Sequence, residues 1–450
     1  DRLHNINGAV AAGAIVVFDE FHLMEIRSAF LTAAAFAKWF SGFTQTVWMT
    51  ATATMPLVHA LLTDLRCDTL LLEDQEEQAL PSVWSVRRDL EWRPEPLDPQ
   101  EVLRAHQQRT LVILNTVGRA QEFAALLKAA TKLPVTLLHS RFFAQDRRRK
   151  EEELRRRFGK KDPEGGILGA TQVVEAGLDI SCEHLWTEAC PVNALVQRSG
   201  RCARFAREQG VVHLRVAPNS LPYTDAELEA AARVLPASAR MTPALCRAWA
   251  EAAHAQDDRQ ALERCTVDQR LIECRRIVGQ QVRRMYGAGV SHLIRDTDDS
   301  AFVLIREHPP ESLHYDKVRV GRGVLLQGMR LAGNLRGAAW RLAGWEESGP
   351  QWAELTGVED ARSATVLCLS PRICRYDEDG LRIGLSGERH SESLPPVNRP
   401  GHYSYRAESW LRHSQAVAAE AENRLQRNGL DRGLIARGLG RWGLGPDHLR

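Results

Sequence analysis

The sequence is short of lysine, of paired cysteines and of long apolar runs. Only 7 of its 59 basic residues are lysine and the other 52 are arginine, which suits bidentate phosphate contacts, although a GC-rich coding sequence explains the bias equally well. The 9 cysteines include no CxxC pair, which argues against zinc ribbons and disulfide frameworks and for a reducing cytoplasm. No apolar run approaches the ~18–20 residues of a membrane span, and no signal peptide is visible, so we expect no membrane partner.

The bulk composition is that of an ordinary globular protein. Hydrophobic residues make up 44% of the chain and charged residues 26%, and the formal net charge is +2. Any surface that binds nucleic acid must therefore be a local one. The 450 residues could form about three domains of roughly 150 residues each.

Apolar strands alternate with helical stretches over residues 1–73, where DTLLLE at 68–73 is the last predicted strand, and again over about 99–216, where helices are predicted at 144–158 and 193–205 among others. This rhythm is typical of an α/β fold with parallel sheets. Between the two stretches, SVWSVRRDLEW at 82–92 looks extended and the segment RPEPLDP at 93–99 predicts a linker. A polar, helical stretch follows, then short strands, and then a final helical segment. The predicted divisions are 1–80, 81–98 as the linker, 99–220, 221–290, 291–395 and 396–450.

The stretch AIVVFDEFH at 14–22 is an apolar strand that ends in two carboxylates, Asp19 and Glu20. Ligands of open α/β sheets bind beyond the carboxyl ends of the strands. One carboxylate there can hold Mg²⁺ through water, and the second can orient or deprotonate an attacking water. The alternative is that Asp19 caps the helix that follows, with Glu20 in its first turn; for this stretch taken alone, the cap is the favoured interpretation.

Three further sequence blocks favour the metal-and-water interpretation of Asp19 and Glu20 over the helix cap. TVWMTATATMP at 46–56 is a strand that ends in Thr50-Ala51-Thr52. GGILGATQVVEAGLDIS at 165–181 is a strand followed by a loop with glycine and acidic residues, and PVNALVQRSGRCAR at 191–204 places a QxxGRxxR pattern at the end of a predicted helix. Each block is weak or moderate evidence alone, but together, in this order, they are strong.

In these blocks the chain resembles the DExH type of superfamily 2 helicase. DEFH resembles motif II, TAT motif III, GATQVVEAGLD motif V and QRSGRCAR motif VI. The spelling TQVVEAGLDIS followed by PxxxLVQRSGRCAR is most similar to the CRISPR type I interference helicase–nuclease. The resemblance covers about residues 14–216 at the level of motifs and is weaker beyond them.

The resemblance implies two RecA-like parallel-sheet lobes, the first incomplete, at 1–80 and 99–220. It implies that 221–290 is a helical linker, 291–395 a β-containing accessory region, and 396–450 the start of an all-α HD nuclease domain. ATP and Mg²⁺ are the implied cofactors, with a divalent transition metal in the HD domain.

The resemblance also implies roles at the nucleotide. Asp19 would bind Mg²⁺ through water, Glu20 would position the attacking water, and His22, Thr50 and Thr52 would relay the nucleotide state. The implied arginine fingers and ATP-binding residues of the second lobe are Arg201, Arg204, Gly177, Asp179, Gln197 and Gly200. The alternative for the two arginines is a solvated helix end that the helix dipole favours.

Single-stranded DNA would lie across the tops of both lobes and be held mainly through its phosphates. The candidate contacts each follow a predicted strand: Asn115, Thr116, Ser140, Arg141 and Thr171. The alternative for each is a strand cap or a turn residue.

Two expected elements are missing from the sequence. No GxxxxGK[ST] phosphate loop occurs, and the simplest interpretation is that it lies before residue 1 in a longer protein; a split gene is the alternative. No His-Asp dipeptide occurs either, and His413 alone resembles a metal histidine of an HD nuclease. We therefore expect this chain alone neither to hydrolyse ATP nor to cut DNA well.

The predicted function is the ATP-dependent DNA translocase part of a CRISPR interference helicase–nuclease, acting with a guide-RNA-containing surveillance complex. Two alternatives stay open. One is another superfamily 2 helicase for DNA or RNA, and the other is a catalytically silent nucleic-acid-binding module.

Overall fold

The computed structural model describes residues 15–41, 44–50, 52–65, 86–175, 177–267, 269, 272–276, 300–346 and 349–385. These residues divide into two compact units: residues up to 65 together with 250–276 form the first unit, and 86–249 together with 300–385 form the second. The predicted HD segment, with His413, and the predicted strand at 68–73 lie outside the described residues. The predicted α/β class is confirmed.

The first unit is built around two parallel strands. Strand β1 (Ile15–Asp19), helix α1 (Leu31–Phe40), strand β2 (Gln45–Met49) and helix α2 (Met55–Leu65) follow one another. Asp19 pairs with Met49 at the carboxyl ends of the two strands. Trp48 stacks on Phe18 with ring centroids 4.2 Å apart and packs against the buried side chains of the two helices. The apolar run of β1 is therefore anchored on one face, while Ile15 is 65% exposed on the other.

The second unit contains a seven-stranded sheet in the order β5-β6-β4-β7-β8-β3-β9, whose strands are parallel except β9. Its strands and helices in chain order are β3 (Arg87–Pro96), α3 (Pro99–Ala105), β4 (Arg109–Ile113), α4 (Val117–Ala130), β5 (Val135–Leu138), α5 (Ala144–Phe158), β6 (Gly166–Ala170), β7 (His184–Glu188), α6 (Val192–Ser199), β8 (Gln209–Val216), α7 (Asp225–Val234) and β9 (Ser238–Arg240). The central strands β4 and β6 are buried at every residue. Near-continuous apolar runs are typical of parallel strands that are covered on both faces.

The predicted linker at 81–98 contains strand β3. The extended conformation expected over 82–92 is present from residue 87 onward, and residues 93–96, which were predicted as linker, continue the strand. Seven residues of β3 from Arg87 to Arg93 pair in register with β8, and the register shifts only between Arg93 and Pro96. Proline has no N–H to donate, so it is tolerated at such an irregular strand end. Asp98 then caps α3 by accepting the Gln100 N–H at 3.0 Å.

Helix α6 is shorter than the predicted helix at 193–205, because it ends at Ser199. The chain beyond it turns back instead, with Ala203 at a positive φ of 45°. Cys202 forms an isolated parallel bridge with Cys182, and Arg88 Nε donates to the Cys202 carbonyl at 2.6 Å. The arginines of the QxxGRxxR pattern therefore lie partly on a loop that other segments hold in place.

Helix α8 (Pro243–Val267) follows β9. In the first unit, its part from residue 250 onward supplies Cys265 and Leu262 to the core. Asp258 accepts the Thr54 hydroxyl at 2.6 Å, and Glu251 accepts the Met55 N–H at 2.8 Å. This part of the predicted helical linker is therefore bonded to the start of α2.

The accessory region forms a five-stranded sheet in the order β11-β10-β14-β12-β13 and a separate hairpin. Its elements are β10 (Ser300–Ile305), β11 (Val318–Gly321), α9 (Arg322–Ala332), β12 (Ala339–Glu346), β13 (Gly349–Glu354), β14 (Val366–Leu369) and the hairpin strands β15 (Cys374–Asp377) and β16 (Gly380–Ile383). Helix α9 was not predicted, although it buries Leu325, Leu326 and Met329 on one face. No helix in the described part of the chain is long and apolar enough to cross a membrane.

Two buried histidines make the stability of the second unit depend on pH. Burial lowers the pKa of His139 to about 3 and that of His213 to about 4, in the second case against a hydrogen bond that the His213 ring donates to the Glu91 carboxylate and that raises the pKa. In the unfolded chain both rings titrate near their usual value of ~6.5, so the unfolded state binds more protons between pH ~6.5 and ~4.

We therefore predict that the free energy of unfolding falls as the pH drops through this window, by roughly 1 kcal/mol or more for each histidine. Urea unfolding at about pH 7 and about pH 5 measures the loss, and His213→Gln should make it smaller. Equal stability at both pH values would contradict the assignment of neutral, buried rings.

Candidate functional site: two strand-end clusters

The first cluster lies at the carboxyl end of β1. Glu20 adopts a left-handed backbone conformation (φ 49°, ψ 45°), which is uncommon for a residue other than glycine and clusters at functional sites. Asp19 Oδ1 accepts the N–H of Glu20 at 3.0 Å, and no side chain caps the short helical turn Phe21–Leu23. The alternative in which Asp19 is a helix cap is therefore not what the structure shows.

His22 joins this strand end to the next one. Its side chain is only 3% exposed, and its Nδ1 lies 2.6 Å from Thr50 Oγ1 and 3.3 Å from Glu20 Oε2. Burial, followed by the charge of His254, lowers the pKa of His22 to about 4, so the ring is neutral. A proton on Nδ1 can be donated to Thr50 Oγ1 and also faces the Glu20 carboxylate favourably, whereas a bare Nδ1 would turn its lone pair toward that carboxylate. We therefore assign the Nδ1–H tautomer.

Three buried polar atoms in this cluster lack a hydrogen-bond partner among the described residues. They are Glu20 Oε2, His22 Nε2 and Thr52 Oγ1. An unsatisfied buried polar group costs about 1–3 kcal/mol, so such atoms call for an explanation. A bound polar ligand beyond the strand ends would supply the missing partners.

The donors of this cluster fit a magnesium–nucleotide site. Within the described ranges, no group of three or more His, Cys, Asp or Glu side chains comes together as a metal site. Mg²⁺ keeps several waters, however, and is usually held by one or two carboxylates together with substrate phosphates. Asp19 and Glu20 are adjacent carboxylates at a strand end, which is this kind of donor set.

The second cluster is organised around Arg198, a residue that the sequence interpretation passed over. Its guanidinium is fully buried and pairs with Glu175 Oε1 at 2.8 Å. It also donates to Thr187 Oγ1 at 2.7 Å, Asn115 Oδ1 at 3.1 Å and the Tyr223 hydroxyl at 2.8 Å. One side chain thus ties together the ends of β4 and β7, the loop after β6 and helix α6. The sequence did carry a signal, because Arg198 continues the buried face of α6 set by Val192 and Leu195.

Arg201 and Arg204 have different environments. Arg201 is 7% exposed, and its guanidinium donates to the carbonyl oxygens of Val174 at 2.7 Å and Glu175 at 2.5 Å. Arg204 is 37% exposed and pairs through Nε with Asp179 Oδ1 at 2.5 Å, while Asp179 is 71% exposed. An exposed pair of this kind is worth only about 0–1 kcal/mol, so Arg204 can leave it at little cost. In this structure Arg201 holds the loop, and Arg204 is the accessible guanidinium.

The remaining nucleotide-site candidates lie around the same loop. Gly177 is exposed with φ +80° and open space around it, so its backbone conformation requires glycine. Gln197 is half-buried on α6, and its side chain makes no hydrogen bond to any described residue. Gly200 follows the last residue of α6, and its N–H closes the helix on the Val196 carbonyl at 3.1 Å.

The polynucleotide candidates separate into buried and accessible groups. Asn115 is 4% exposed and bonded at both ends of its amide, to Arg198 and to the Ala189 carbonyl, so both ends of its side chain already have partners in this structure. Thr116 caps α4, and Thr171 is 3% exposed.

Ser140 and Arg141 form the accessible group. Ser140 is exposed and Arg141 is half-buried. The Arg141 guanidinium makes no hydrogen bond or ion pair to any described residue, and burial lowers its pKa to about 10. A partly desolvated cation without a carboxylate partner favours an anionic ligand.

Comparisons with known proteins find similarity over the segment that contains most of this second cluster. Residues 106–207 match the family model described as CRISPR-associated nuclease/helicase Cas3, C-terminal. The CRISPR-associated endonuclease/helicase Cas3 of Escherichia coli (strain K12) is 43% identical over 101 residues, which are 22% of this chain and 11% of that protein. The CRISPR-associated nuclease/helicase Cas3 of Streptococcus thermophilus is 41% identical over 96 residues, 21% of this chain and 10% of that protein.

Among solved structures, T. fusca Cas3 with ADP is similar with a TM-score of 0.54 at 16% identity, covering 82% of this chain and 54% of that one. At this identity the likeness shows the fold. The chain thus spans about half the length of that solved relative, and its matched segments span about a tenth of the two curated relatives. The resemblance to a CRISPR-associated helicase–nuclease that the motifs predicted is confirmed.

The two kinds of arginine should differ sharply in their effect on stability. Arg198→Met removes the buried partner of Glu175 and should cost about 3–5 kcal/mol of the free energy of unfolding. Arg204→Met removes an exposed pair and should cost less than about 1 kcal/mol. Urea unfolding of both variants beside the wild type measures the difference. Equal costs would show that the burial and bonding described for Arg198 do not hold in solution.

Proposed function

We propose that this chain carries the ATP-driven motor of a CRISPR-associated nuclease/helicase, which moves along single-stranded DNA that a guide-RNA-containing surveillance complex has exposed. The observation that carries the proposal is that one family match, over residues 106–207, contains the whole Arg198 cluster except Tyr223. The loop after β6, the arginines of the QxxGRxxR pattern and the unpaired Arg141 all lie within it. We infer a cytoplasmic protein that helps to degrade foreign DNA.

At the nucleotide, this chain would supply a carboxylate pair and an arginine. Bound Mg²⁺ would neutralise charge on the phosphates. Asp19 would hold that ion through water, and Glu20 would orient and deprotonate the attacking water. Solved T. fusca Cas3 is described with ADP, which supports a nucleotide as the ligand. The orphaned atoms Glu20 Oε2 and Thr52 Oγ1 are the ones that we expect a nucleotide and its waters to satisfy.

Coupling between the strands would run through His22. Its Nδ1 proton lies between Glu20 and Thr50, so a change in the position of the carboxylate changes the hydrogen bond to the threonine. The Thr50 hydroxyl also accepts the Thr52 N–H at 3.2 Å. A shift at the catalytic carboxylate would thereby reach the backbone that follows β2.

In the second lobe, the accessible Arg204 is the better candidate for an arginine finger. Such a guanidinium stabilises the charge on the transferring phosphoryl group and is worth ~10³–10⁵ in rate. Asp179 would hold Arg204 while no nucleotide is bound. Arg201, Gln197, Gly200 and Gly177 would shape the loop around it. On the DNA side, Arg141 and Ser140 would contact phosphates, with Thr116, Thr171 and Asn115 supporting their loops.

Glu20→Gln tests the nucleotide half of the proposal. In the gene product that contains this chain, the substitution should leave ATP binding unchanged and lower DNA-stimulated phosphate release by at least about 100-fold, because a general base contributes ~10²–10⁴. Nucleotide affinity is measured with a fluorescent ATP analogue and turnover with a phosphate sensor.

Glu25→Gln is the matched control. Glu25 is a nearby exposed carboxylate, and among the described residues only the Ser28 hydroxyl donates to it, so its variant should turn over at the wild-type rate. Wild-type turnover by Glu20→Gln would refute the role of Glu20, and loss of ATP binding in it would show that the carboxylate acts before the chemical step.

A further inference from the structure

The accessory hairpin β15–β16 packs directly onto the loop that carries Ser140 and Arg141. This loop, residues 139–143, follows β5 in the second unit and has no regular secondary structure of its own. The hairpin belongs to the same compact unit but lies more than two hundred residues further along the chain. The contact joins a region without an assigned chemical role to two candidate DNA-binding residues.

The turn of the hairpin is bonded to buried side chains of the lobe. The carbonyl oxygen of Asp379 accepts the His139 Nε2–H at 2.9 Å and a Gln121 Nε2–H at 2.7 Å. Lys128 Nζ donates to Asp379 Oδ1 at 2.7 Å and to Glu378 Oε1 at 3.0 Å. The turn is therefore fixed at its backbone and at its side chains.

The hairpin also holds the backbone of the loop at two points. The Leu381 N–H donates to the Arg141 carbonyl at 2.9 Å. The Tyr376 hydroxyl accepts the Phe143 N–H at 2.9 Å and donates to Asp146 at 2.7 Å, while the Tyr376 ring packs on Phe143 with centroids 4.1 Å apart. The hairpin therefore fixes the main chain at the Arg141 carbonyl itself and again two residues later, at the Phe143 N–H.

The fit leaves no room for a side chain at Gly380. This residue has a φ of +81°, and a Cβ on it would lie 2.5 Å from His139 Cε1 and 2.7 Å from the Arg141 carbonyl oxygen. Real Cβ atoms do not approach other atoms so closely, so any larger residue must displace the loop or the hairpin. A substitution of Gly380 by alanine therefore disturbs the contact between the hairpin and the loop by adding a single methyl group.

The guanidinium of the fixed residue lines an open groove. Arg141 and Arg382 line a cavity of about 540 Å³ together with Gln121, Gln327, Leu331 and Ile383. Arg382 lies 3.6 Å from Asp379, whereas Arg141 has no ion pair among the described residues. The groove therefore presents Arg141, whose backbone is held by the hairpin and whose guanidinium has no ion-pair partner among the described residues.

We propose that hairpin β15–β16 is a positioning element for Arg141, with Tyr376 and Gly380 as the positioning residues that aim its guanidinium at a phosphate of single-stranded DNA. The inference rests on the proposed function and deepens it. The accessory region is then part of the DNA-binding site and sets the geometry of the lobe's own contact. Because the hairpin already fixes the backbone of the loop, less conformational entropy is lost when the polynucleotide binds.

The test measures binding of fluorescein-labelled oligo(dT) to the full 450-residue chain as a function of salt. Arg141→Ala removes one phosphate contact, so the slope of log K against log salt should become shallower by about 0.7. Gly380→Ala and Tyr376→Phe should each reduce the slope in the same direction, and Gly380→Ala combined with Arg141→Ala should add nothing to Arg141→Ala alone. Native-state hydrogen exchange should show faster exchange of the Phe143 amide in both hairpin variants.

Gly349→Ala is the matched control. Gly349 also has a positive φ of +125°, and its Cβ would lie 2.9 Å from the Glu311 carbonyl oxygen, but it belongs to β13 and not to the hairpin. A general loss of stability would affect both glycine variants, whereas only Gly380→Ala should change the salt slope. Tyr376→Phe, which keeps the ring packing, replaces Gly380→Ala if the latter does not fold.

The outcomes separate the two proposals. If Arg141→Ala reduces the slope and both hairpin variants keep the wild-type slope despite faster exchange, the positioning role is wrong and the proposed function stands. If Gly349→Ala reduces the slope as much as Gly380→Ala, the effect is general destabilisation and the positioning role is again wrong. If the wild-type chain does not bind oligo(dT), or Arg141→Ala changes nothing, the DNA half of the proposed function fails and the inference falls with it.

Discussion

The buried guanidinium of Arg198 is the constraint on which the arrangement of the second lobe depends. A charge that is taken out of water must be paired and fully hydrogen-bonded, and an arginine cannot lose its proton to avoid this. Arg198 meets the requirement only when Glu175, Asn115 and Thr187 all face it. Those residues come from separate strand ends, so satisfying one side chain fixes the relative positions of the loops at the rim of the sheet.

The three arginines of the QRSGRCAR segment, Arg198, Arg201 and Arg204, therefore have different roles. Arg198 stabilises the fold from its buried site, and Arg201 donates hydrogen bonds to the carbonyl oxygens of Val174 and Glu175. Arg204 remains exposed in a weak pair with Asp179 and is the one that is free to move. The motif pattern could not make this distinction from spacing alone, because the helix was predicted to run through Arg204 and it ends at Ser199.

Local patterns predicted the elements well where the chemistry is local. The apolar strands β1, β4 and β6 and the amphipathic helix α5, whose predicted bounds at 144–158 agree with the structure, followed from periodicity. The strand β3 followed only in part, because residues 82–92 look extended but the prolines after them suggested a linker. Pairing with β8 and β9, both distant in the sequence, carries the strand through to Pro96. The burial of Asn115 was missed for the same reason: a strand-end amide looks available in sequence, and its partner Arg198 lies far along the chain.

The contact between the hairpin turn at Asp379 and His139 also joins residues that are far apart in the sequence, and no sequence motif predicts such a contact.

The Arg198–Glu175 ion pair is the interaction on which the arrangement of the second lobe depends most. A double-mutant cycle with Arg198→Met and Glu175→Gln, measured by urea unfolding, tests it directly. We predict a coupling free energy of roughly 1–3 kcal/mol; a coupling near zero would show that the buried pair does not hold the rim of the lobe together.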